Sequence, residues 1–179
     1  MKKFIIPSLF IVGVLLLGVI FLPNGIIGSA KENNGKGKEV ELYNNKGDAI
    51  GVVILVQKGK QVVLKVNASG LTPGKHGFHI HENPISNGDF STAGGHYNPT
   101  MKQHGHDNPK GAHLGDLQNL VVDKDGNVDQ TIIIEGVSLD DSINSILGRS
   151  LIIHEKEDDG KTDPAGNSGD RVAGGNIPQ

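Results

Sequence analysis

Eight short runs of Val- and Ile-rich sequence, separated by Gly, Asn or Asp, constrain the fold of this chain more than any other feature. Runs of about four to eight such residues between these breakers are typical of β-strands. No stretch has the pattern of a long helix, and only residues 139–147 leave room for a turn or two. The runs lie at 39–43, 49–56, 60–67, 76–82, 117–122, 127–134, 149–155 and 171–177.

The order of these runs predicts the architecture. Lys58-Gly59 and Asp125-Gly126 stand where tight hairpins would turn. About eight strands in about 150 residues favour a closed or two-layered antiparallel arrangement. We therefore expect an all-β fold, an eight-stranded Greek-key β-barrel or sandwich of the immunoglobulin-like kind, with two long functional loops.

The first 30 residues have the pattern of an export signal. A positive start is followed by the apolar stretch from Phe4 to Leu22, and Gly28-Ser29-Ala30 places small residues before a cleavage point. The stretch is also long enough to span a bilayer, so residues 1–30 are either a signal peptide or an N-terminal membrane anchor. Residues 31–38 predict a flexible tether, and 39–179 the folded domain. We expect an exported protein, secreted or attached to the outer face of the cell membrane.

Charge and cysteine content exclude several classes of protein. The formal net charge is −3 without a cluster of basic residues, so no nucleic-acid partner is expected. The chain has no Cys, which excludes both a lipid-modified Cys and a disulfide. A domain of about 150 residues can bury a workable core without a disulfide, and bound metal can add stability.

Two segments are too long and too polar to be simple connections. Residues 83–112 and 156–170 are rich in Gly, Pro and Asp and poor in apolar residues. Loops of this length in a compact domain are usually functional or disordered. The first segment carries histidines, and metal cross-links could supply the order that apolar burial cannot. We therefore interpret these loops as functional.

His96, His104, His113 and Asp116 have the composition of a closed metal site. Three imidazoles and one carboxylate make a four-coordinate set of the kind that holds a structural zinc. Each histidine alone would fit a solvated loop position. Four ligand-type residues together, in a segment with little else to order it, favour the metal.

His79 and His81 lie two residues apart on a predicted strand, so their side chains share a face while Phe78 and Ile80 point into the core. Such a pair alone would fit a polar outer face. His154 ends a second apolar strand. It either completes a copper site with His79 and His81 or marks where that strand reaches solvent.

Three other polar residues have less specific patterns. Asp158 could accept hydrogen bonds from metal-bound imidazoles, or it could be an ordinary turn acid. His76 is offset from the face shared by His79 and His81, which favours a hydrogen-bonded structural histidine. His106 is interpreted as a loop residue.

Taken together, these motifs resemble the copper/zinc superoxide dismutase family. The resemblance covers roughly residues 39–177, and the motifs are long and follow the family's order. They read GFHIHE at 77–82, AGGHYNP at 93–99, HG at 104–105, HLGDL at 113–117, GRSLIIHE at 148–155 and GNSGDR at 166–171.

The resemblance implies two neighbouring sets of ligands that share His96. Copper would be bound by His79, His81, His96 and His154. Zinc would be bound by His96, His104, His113 and Asp116. Asp158 would bridge the two sites through hydrogen bonds, and Arg171 would receive superoxide beside the copper. A small anion entering a net-negative protein needs such a local positive charge.

The resemblance also implies the reaction. A superoxide dismutase converts superoxide to O₂ and hydrogen peroxide by Cu(II)/Cu(I) cycling, with a structural zinc. Arg171 and His96 would be the catalytic residues, Arg171 by binding superoxide and His96 by taking up a proton. The alternative is a non-catalytic zinc- and copper-binding envelope protein on the same fold. Superoxide is then the expected partner, membrane contact is expected only through an uncleaved N-terminal segment, and a homodimer is left open.

One departure from the family bears on stability. Family members usually carry one Cys in the loop between the second and third copper ligands and another just after the C-terminal Arg. Residues 82–95 hold no Cys, and Gly174 stands where the second would be. The loop must then be held by metal and packing, so we expect an unusually metal-dependent stability.

Overall fold

Nine strands form in the part of the chain that the computed structural model describes, residues 37–140 and 142–179. They are β1 (Lys38–Asn44), β2 (Ala49–Lys58), β3 (Gln61–Ala68), β4 (Gly74–His76), β5 (Phe78–His81), β6 (Leu120–Val122), β7 (Val128–Glu135), β8 (Ser150–His154) and β9 (Arg171–Asn176). The only helix in these residues is a short 3₁₀ helix, Phe90–Ala93. The described part of 139–147 forms turns and bends rather than helix.

Seven of the strands form one curled antiparallel sheet in the order β5-β8-β9-β1-β2-β3-β7, and β4 pairs with β6 in a second, two-stranded sheet. Strand β1 pairs with both β2 and β9, so the first and last strands are neighbours. The predicted all-β class is confirmed, with strands close to the predicted Val- and Ile-rich runs.

Alternating side chains of the sheet form one apolar core. Val53 faces Val66 and Leu55 faces Leu64 across β2 and β3, and all four are buried. Burial of each such side chain stabilises the fold by about 1.5–3 kcal/mol. Phe78 and Ile80 from β5 join the same core, as the alternation predicted.

Both predicted turns are present, but only the turn at Lys58-Gly59 joins two paired strands. Asp125-Gly126 lies between β6 and β7, which belong to different sheets, so its prediction as a hairpin is wrong. Lys58 pairs with Gln61 across a turn in which Gly59 has φ +60°, and Gly126 has φ +84° in the turn before β7. A positive φ of this size is strained for residues with a side chain, which accounts for glycine at both positions.

The predicted run 76–82 is wrong as a single strand. Its first part belongs to β4, which pairs with β6, whereas β5 pairs with β8. The break falls at Gly77, whose N–H donates to the carbonyl of Lys156 and whose carbonyl accepts from His154 N. The switch between sheets depends on partners far along the chain, so a local pattern cannot reveal it.

The predicted signal peptide or anchor at 1–30 and most of the predicted tether at 31–38 lie outside the described residues. Lys38, the last residue of that tether, already begins β1. Among the described residues, no helix is long and apolar enough to cross a membrane.

Candidate metal centre

Two later segments dock against β5, the edge strand of the large sheet. One lies around His96 in the first long loop, and the other lies around Asp116, just after that loop. His79 pairs with Asp116 and His81 pairs with His96 in isolated antiparallel bridges. At the crossing, a Cβ on Gly115 would lie 2.2 Å from the Ile80 carbonyl oxygen, so the backbone can approach this closely only at a glycine. This docking brings residues distant in sequence beside the two strand histidines.

Four buried histidines meet at this edge. Each offers a ring nitrogen within 4.8 Å of the others. Two come from β5, one from the end of β8 and one from the docked loop. They are His79, His81, His154 and His96.

The inward nitrogens of these four rings have no hydrogen-bond partner within the described residues. They are His79 Nδ1, His81 Nε2, His96 Nε2 and His154 Nε2. Leaving one buried polar nitrogen unsatisfied costs about 1–3 kcal/mol. Four converging imidazole nitrogens suit a copper ion, which removes that cost by coordination. The arrangement therefore fits the predicted metal.

The opposite nitrogen of each ring is hydrogen-bonded, which fixes the ring's orientation. Two of these nitrogens reach backbone carbonyls: His81 Nδ1 lies 3.0 Å from Gly94 O, and His154 Nδ1 lies 3.1 Å from Gly169 O. The other two lie beside carboxylates: His79 Nε2 beside Asp158 and His96 Nδ1 beside Asp116. Such outer contacts orient metal-binding imidazoles and set which nitrogen is free for the metal.

Asp116 is the centre of a second cluster of residues that could hold a metal ion. Its Oδ1 lies 2.9 Å from His96 Nδ1 and 3.1 Å from both His104 Nδ1 and His113 Nδ1. With zinc bonds of about 2.0–2.1 Å, tetrahedral ligand atoms lie roughly 3.3 Å apart, so the spacing suits zinc. The other oxygen, Oδ2, accepts hydrogen bonds from the N–H groups of Gly105 and His113, which holds the carboxylate in place.

Asp158 lies between the two sets. Its Oδ2 is 2.8 Å from His79 Nε2 and its Oδ1 is 3.0 Å from His104 Nε2. A Cβ on Gly166 would lie 1.9 Å from Asp158 Oδ1, so a side chain at 166 would displace the carboxylate. The geometry favours the bridging interpretation of Asp158 over that of an ordinary turn acid.

Asn119 holds Asp158 in place, although no pattern in the sequence points to it. Asn119 Oδ1 accepts from Asp158 N at 2.9 Å, and Asn119 Nδ2 donates to Asp158 O at the same distance. A single Asn before a short strand carries no signal that separates this role from that of a turn residue.

Arg171 begins β9 and is half-buried. Its guanidinium donates to the carbonyl oxygens of Phe90 and Gly94. The Gly94 oxygen is also the partner of His81 Nδ1, so one backbone carbonyl joins Arg171 to the four-histidine set.

The two remaining histidines take part in neither set. His76 is buried, with Nδ1 2.6 Å from His154 O and Nε2 2.8 Å from Thr72 O, as expected for a structural histidine. His106 lies in a loop turn, with Nε2 2.9 Å from Asp116 O.

Burial keeps the four-histidine set uncharged in the metal-free chain. It lowers the pKa of His79 to about 3, of His81 to about 2 and of His154 to about 4, and it also lowers the pKa of His96. Neutral imidazole is the form that binds metal. These rings can therefore accept a cation at neutral pH without first losing a proton.

In the second set, a negatively charged Asp116 is paired with a positively charged His104. Burial alone would raise the pKa of Asp116, but hydrogen bonds from His104 and His96 hold it well below its ordinary value. Burial likewise opposes protonation of His104, but Asp116 and Asp158 outweigh it and raise the pKa of His104 to about 9. The metal-free site thus contains a carboxylate and a protonated ring, and the ring must lose that proton when a cation binds.

Comparison with known proteins agrees with the motifs and the fold. The family described as copper/zinc superoxide dismutase matches residues 49–177. The chain belongs to the copper/zinc superoxide dismutase family. The resemblance is thereby confirmed, and with it the family's cofactors, copper and zinc. Which residue binds which metal in this chain stays a prediction.

Individual relatives are about 40% identical to this chain over the aligned residues. "Superoxide dismutase [Cu-Zn] 2" of Aquifex aeolicus is 41% identical over 143 residues, which are 76% of this chain and 84% of that protein. The "extracellular superoxide dismutase [Cu-Zn]" of Caenorhabditis elegans is 40% identical over 136 residues, 73% of this chain and 61% of that protein. The crystal structure of a superoxide dismutase-like protein from Bacillus subtilis superposes with a TM-score of 0.74 at 40% identity, covering 78% of this chain and 97% of that chain.

Proposed function

We propose that this protein is an exported superoxide dismutase. The proposal rests on the convergence of four buried imidazole nitrogens within 4.8 Å, none of them hydrogen-bonded to any residue that the structure describes. They lie next to a guanidinium that shares a carbonyl with one of the rings. Copper bound there supplies one-electron redox chemistry by alternating between Cu(II) and Cu(I). The complete reaction uses two superoxide ions and two protons and yields one O₂ and one H₂O₂.

The proposed role of Arg171 is to bind superoxide. A half-buried guanidinium held by two carbonyls is a fixed positive charge in a chain whose formal net charge is −3. Such a charge raises the local concentration of a small anion and directs it toward the rings. Arg171 therefore acts on the substrate rather than as a ligand.

The proposed role of His96 is to join the two ligand sets and to hold a proton. Its Nε2 faces the other three copper-site histidines, whereas its Nδ1 lies beside Asp116. A proton taken up at Nε2 would sit beside the reacting oxygen and could pass to the peroxide product. Because Nδ1 keeps its contact on the zinc side, the ring would not have to move far.

The two clusters support a ligand assignment. We propose that copper is bound by His79, His81, His96 and His154. We propose that zinc is bound by His96, His104, His113 and Asp116. Asp158 would hold one ring of each set through hydrogen bonds. The zinc set has four ligands and no open position, which is typical of a structural site.

The proposed location is outside the cytoplasmic membrane. The apolar N-terminal stretch in residues 1–30 and the relative named as extracellular in Caenorhabditis elegans both support export. The protein would be secreted if the segment is cleaved and membrane-attached if it is not. We propose superoxide as the substrate, no nucleic-acid partner, and either a monomer or a homodimer.

A second candidate is a non-catalytic protein that binds zinc and copper. It is favoured by the name of the Bacillus subtilis structure, which is described only as superoxide dismutase-like. The two candidates share the fold and both metals. They differ in whether bound copper turns over superoxide.

The decisive experiment measures metal content and superoxide dismutation of the chain loaded with copper and zinc. His154→Ala is the test variant, and His106→Gln is the control because it removes an imidazole outside both sets and keeps a side-chain N–H that can donate to the Asp116 carbonyl. We expect His154→Ala to lose copper and activity but keep zinc, and His106→Gln to keep all three. Stoichiometric copper without activity in the unmodified chain would favour the non-catalytic candidate. Full activity in His154→Ala would remove His154 from the site.

A further inference from the structure

The side-chain amide of Asn176 holds the loop at residues 82–95 through two hydrogen bonds to one residue. Asn176 Oδ1 accepts from Ile85 N at 2.7 Å, and Asn176 Nδ2 donates to Ile85 O at 2.9 Å. Both bonds reach the same backbone unit, so they fix its orientation as well as its position. Asn176 is the last residue of β9, the strand that begins with Arg171.

The side chain of Ile85 anchors the same point by packing. It contacts the small apolar cluster of Phe90, Ala93 and Ile152. It also lies over Gly174, where a Cβ would be 3.0 Å from Ile85 Cδ1. The lack of a side chain at position 174 therefore leaves the space that Ile85 uses.

The other end of this loop orients Arg171. The carbonyls of Phe90 and Gly94 accept both guanidinium hydrogen bonds, and the Gly94 oxygen also contacts His81 Nδ1. These two carbonyls are the hydrogen-bond acceptors of the Arg171 side chain within the described residues. If the loop shifts, Arg171 loses them.

We propose that Asn176 is a positioning residue for Arg171. It touches none of the histidine rings and no substrate site, and it acts by holding the loop whose carbonyls aim the guanidinium. Residues at the two ends of β9 thus form hydrogen bonds to the same loop. Asn176 bonds to Ile85, and Arg171 bonds to Phe90 and Gly94. The inference rests on the proposed function only in the use of Arg171 to bind superoxide.

The test variants are Asn176→Ala, which removes both hydrogen bonds, and Asn176→Asp. The aspartate has nearly the same shape and keeps the acceptor for Ile85 N, but it places a second oxygen against Ile85 O. Gln57→Ala is the matched control. The Gln57 amide also holds loop backbone, accepting from Leu139 N at 2.9 Å and donating to Gly59 O at 2.7 Å, but it lies at the far end of β2.

The direct measurement is the hydrogen-exchange rate of the Arg171 Nη protons, by NMR of the reduced, diamagnetic chain loaded with copper and zinc. We expect exchange to be about tenfold faster in both Asn176 variants, the effect of weakening the loop by one to two hydrogen bonds. Gln57→Ala should lower overall stability by a comparable amount and leave the Arg171 protons unchanged. Activity per bound copper should fall in the Asn176 variants and not in the control.

Unchanged exchange of the Arg171 protons in both Asn176 variants would overturn the proposal, whatever the activity. A loss of activity without faster exchange would overturn it as well. Faster exchange combined with full activity of Arg171→Ala would support the positioning role and contradict only the proposed use of Arg171. The two proposals can therefore fail separately.

Discussion

The two nitrogens of the His96 ring face two different clusters. Nδ1 lies 2.9 Å from Asp116 Oδ1, and Nε2 faces three other buried histidines. Its neighbour across this edge is His79, whose ring centroid lies 3.9 Å away in a stacked arrangement. An imidazole placed in this way can serve two cations at once. Binding of either metal should therefore affect the other.

Asp158→Asn should weaken at least one of the two sites. The amide can accept a hydrogen bond through its oxygen but presents an NH₂ group to the second ring, so either His79 or His104 loses its orienting partner. Loss of such a contact typically lowers metal affinity by about 10- to 100-fold. Competition titrations with copper and zinc chelators would measure it, with the exposed-turn variant Asp125→Asn as control. Unchanged affinity for both metals would show that Asp158 does not orient the rings.

Arg171→Ala should still bind copper but should catalyse superoxide dismutation more slowly. The guanidinium contacts backbone carbonyls rather than metal ligands, so the ligand set stays intact. Loss of the local positive charge should slow superoxide capture by about 10- to 100-fold and weaken the dependence of the rate on ionic strength. Metal analysis and rates at several salt concentrations would check this. A variant with an unchanged salt dependence would contradict the role of Arg171 in attracting the anion.

The metal-free chain should lose stability as the pH falls below about 6.5. Burial lowers the folded-state pKa of His79, His81 and His154 to about 3, 2 and 4, from an ordinary 6.5. Below 6.5 the unfolded chain binds more protons at these rings than the folded chain, so the free energy of unfolding decreases with falling pH. Denaturant unfolding of the metal-free chain between about pH 7 and pH 5 measures the slope, and a flat profile would contradict it.

In the same metal-free chain, His104 should affect the pH dependence of stability in the direction opposite to that of His79, His81 and His154. Its folded-state pKa of about 9 lies above 6.5, so its stabilising contribution is full below 6.5 and is lost as the pH rises toward about 9. Asn replacement of His104 should therefore remove the decline of stability on the alkaline side while leaving the decline on the acid side. The same unfolding series, extended to higher pH, tests this.

Zinc should raise the melting temperature strongly, because no disulfide constrains the loops. A free zinc concentration of about 1,000 times the dissociation constant adds roughly 4 kcal/mol to the free energy of unfolding. For a domain of this size that corresponds to about 10 °C in Tm. Calorimetry of the metal-free and zinc-loaded chains measures the shift. Equal melting temperatures would contradict the expectation of metal-dependent stability.

Local sequence patterns could predict the strands and the faces of their side chains. Val- and Ile-rich runs marked most of the strands, and two-residue alternation placed His79 and His81 on one face opposite Phe78 and Ile80. The alternation could not show that both faces are buried, because the second face is covered by a loop from elsewhere in the chain. The polar-surface interpretation of the pair therefore does not apply.

The supporting contacts could not be predicted from local pattern. Asn119 and Asn176 are single amides in or beside short strands, and their partners lie 39 and 91 residues away. The division of run 76–82 at Gly77 depends in the same way on pairing with distant strands. Residues that can bind metal are recognisable in the sequence by their side-chain chemistry. Residues that position others are recognisable only once the fold shows which distant residues they contact.

The sharing of His96 between two metals is tested most directly by anomalous diffraction at the copper and zinc absorption edges from crystals of the oxidised, metal-loaded chain. We predict a copper peak about 2.0–2.1 Å from His96 Nε2 and a zinc peak at a similar distance from His96 Nδ1. The copper should also contact His79, His81 and His154. A structure in which either metal binds away from His96, or in which a single ion occupies the centre, would contradict it.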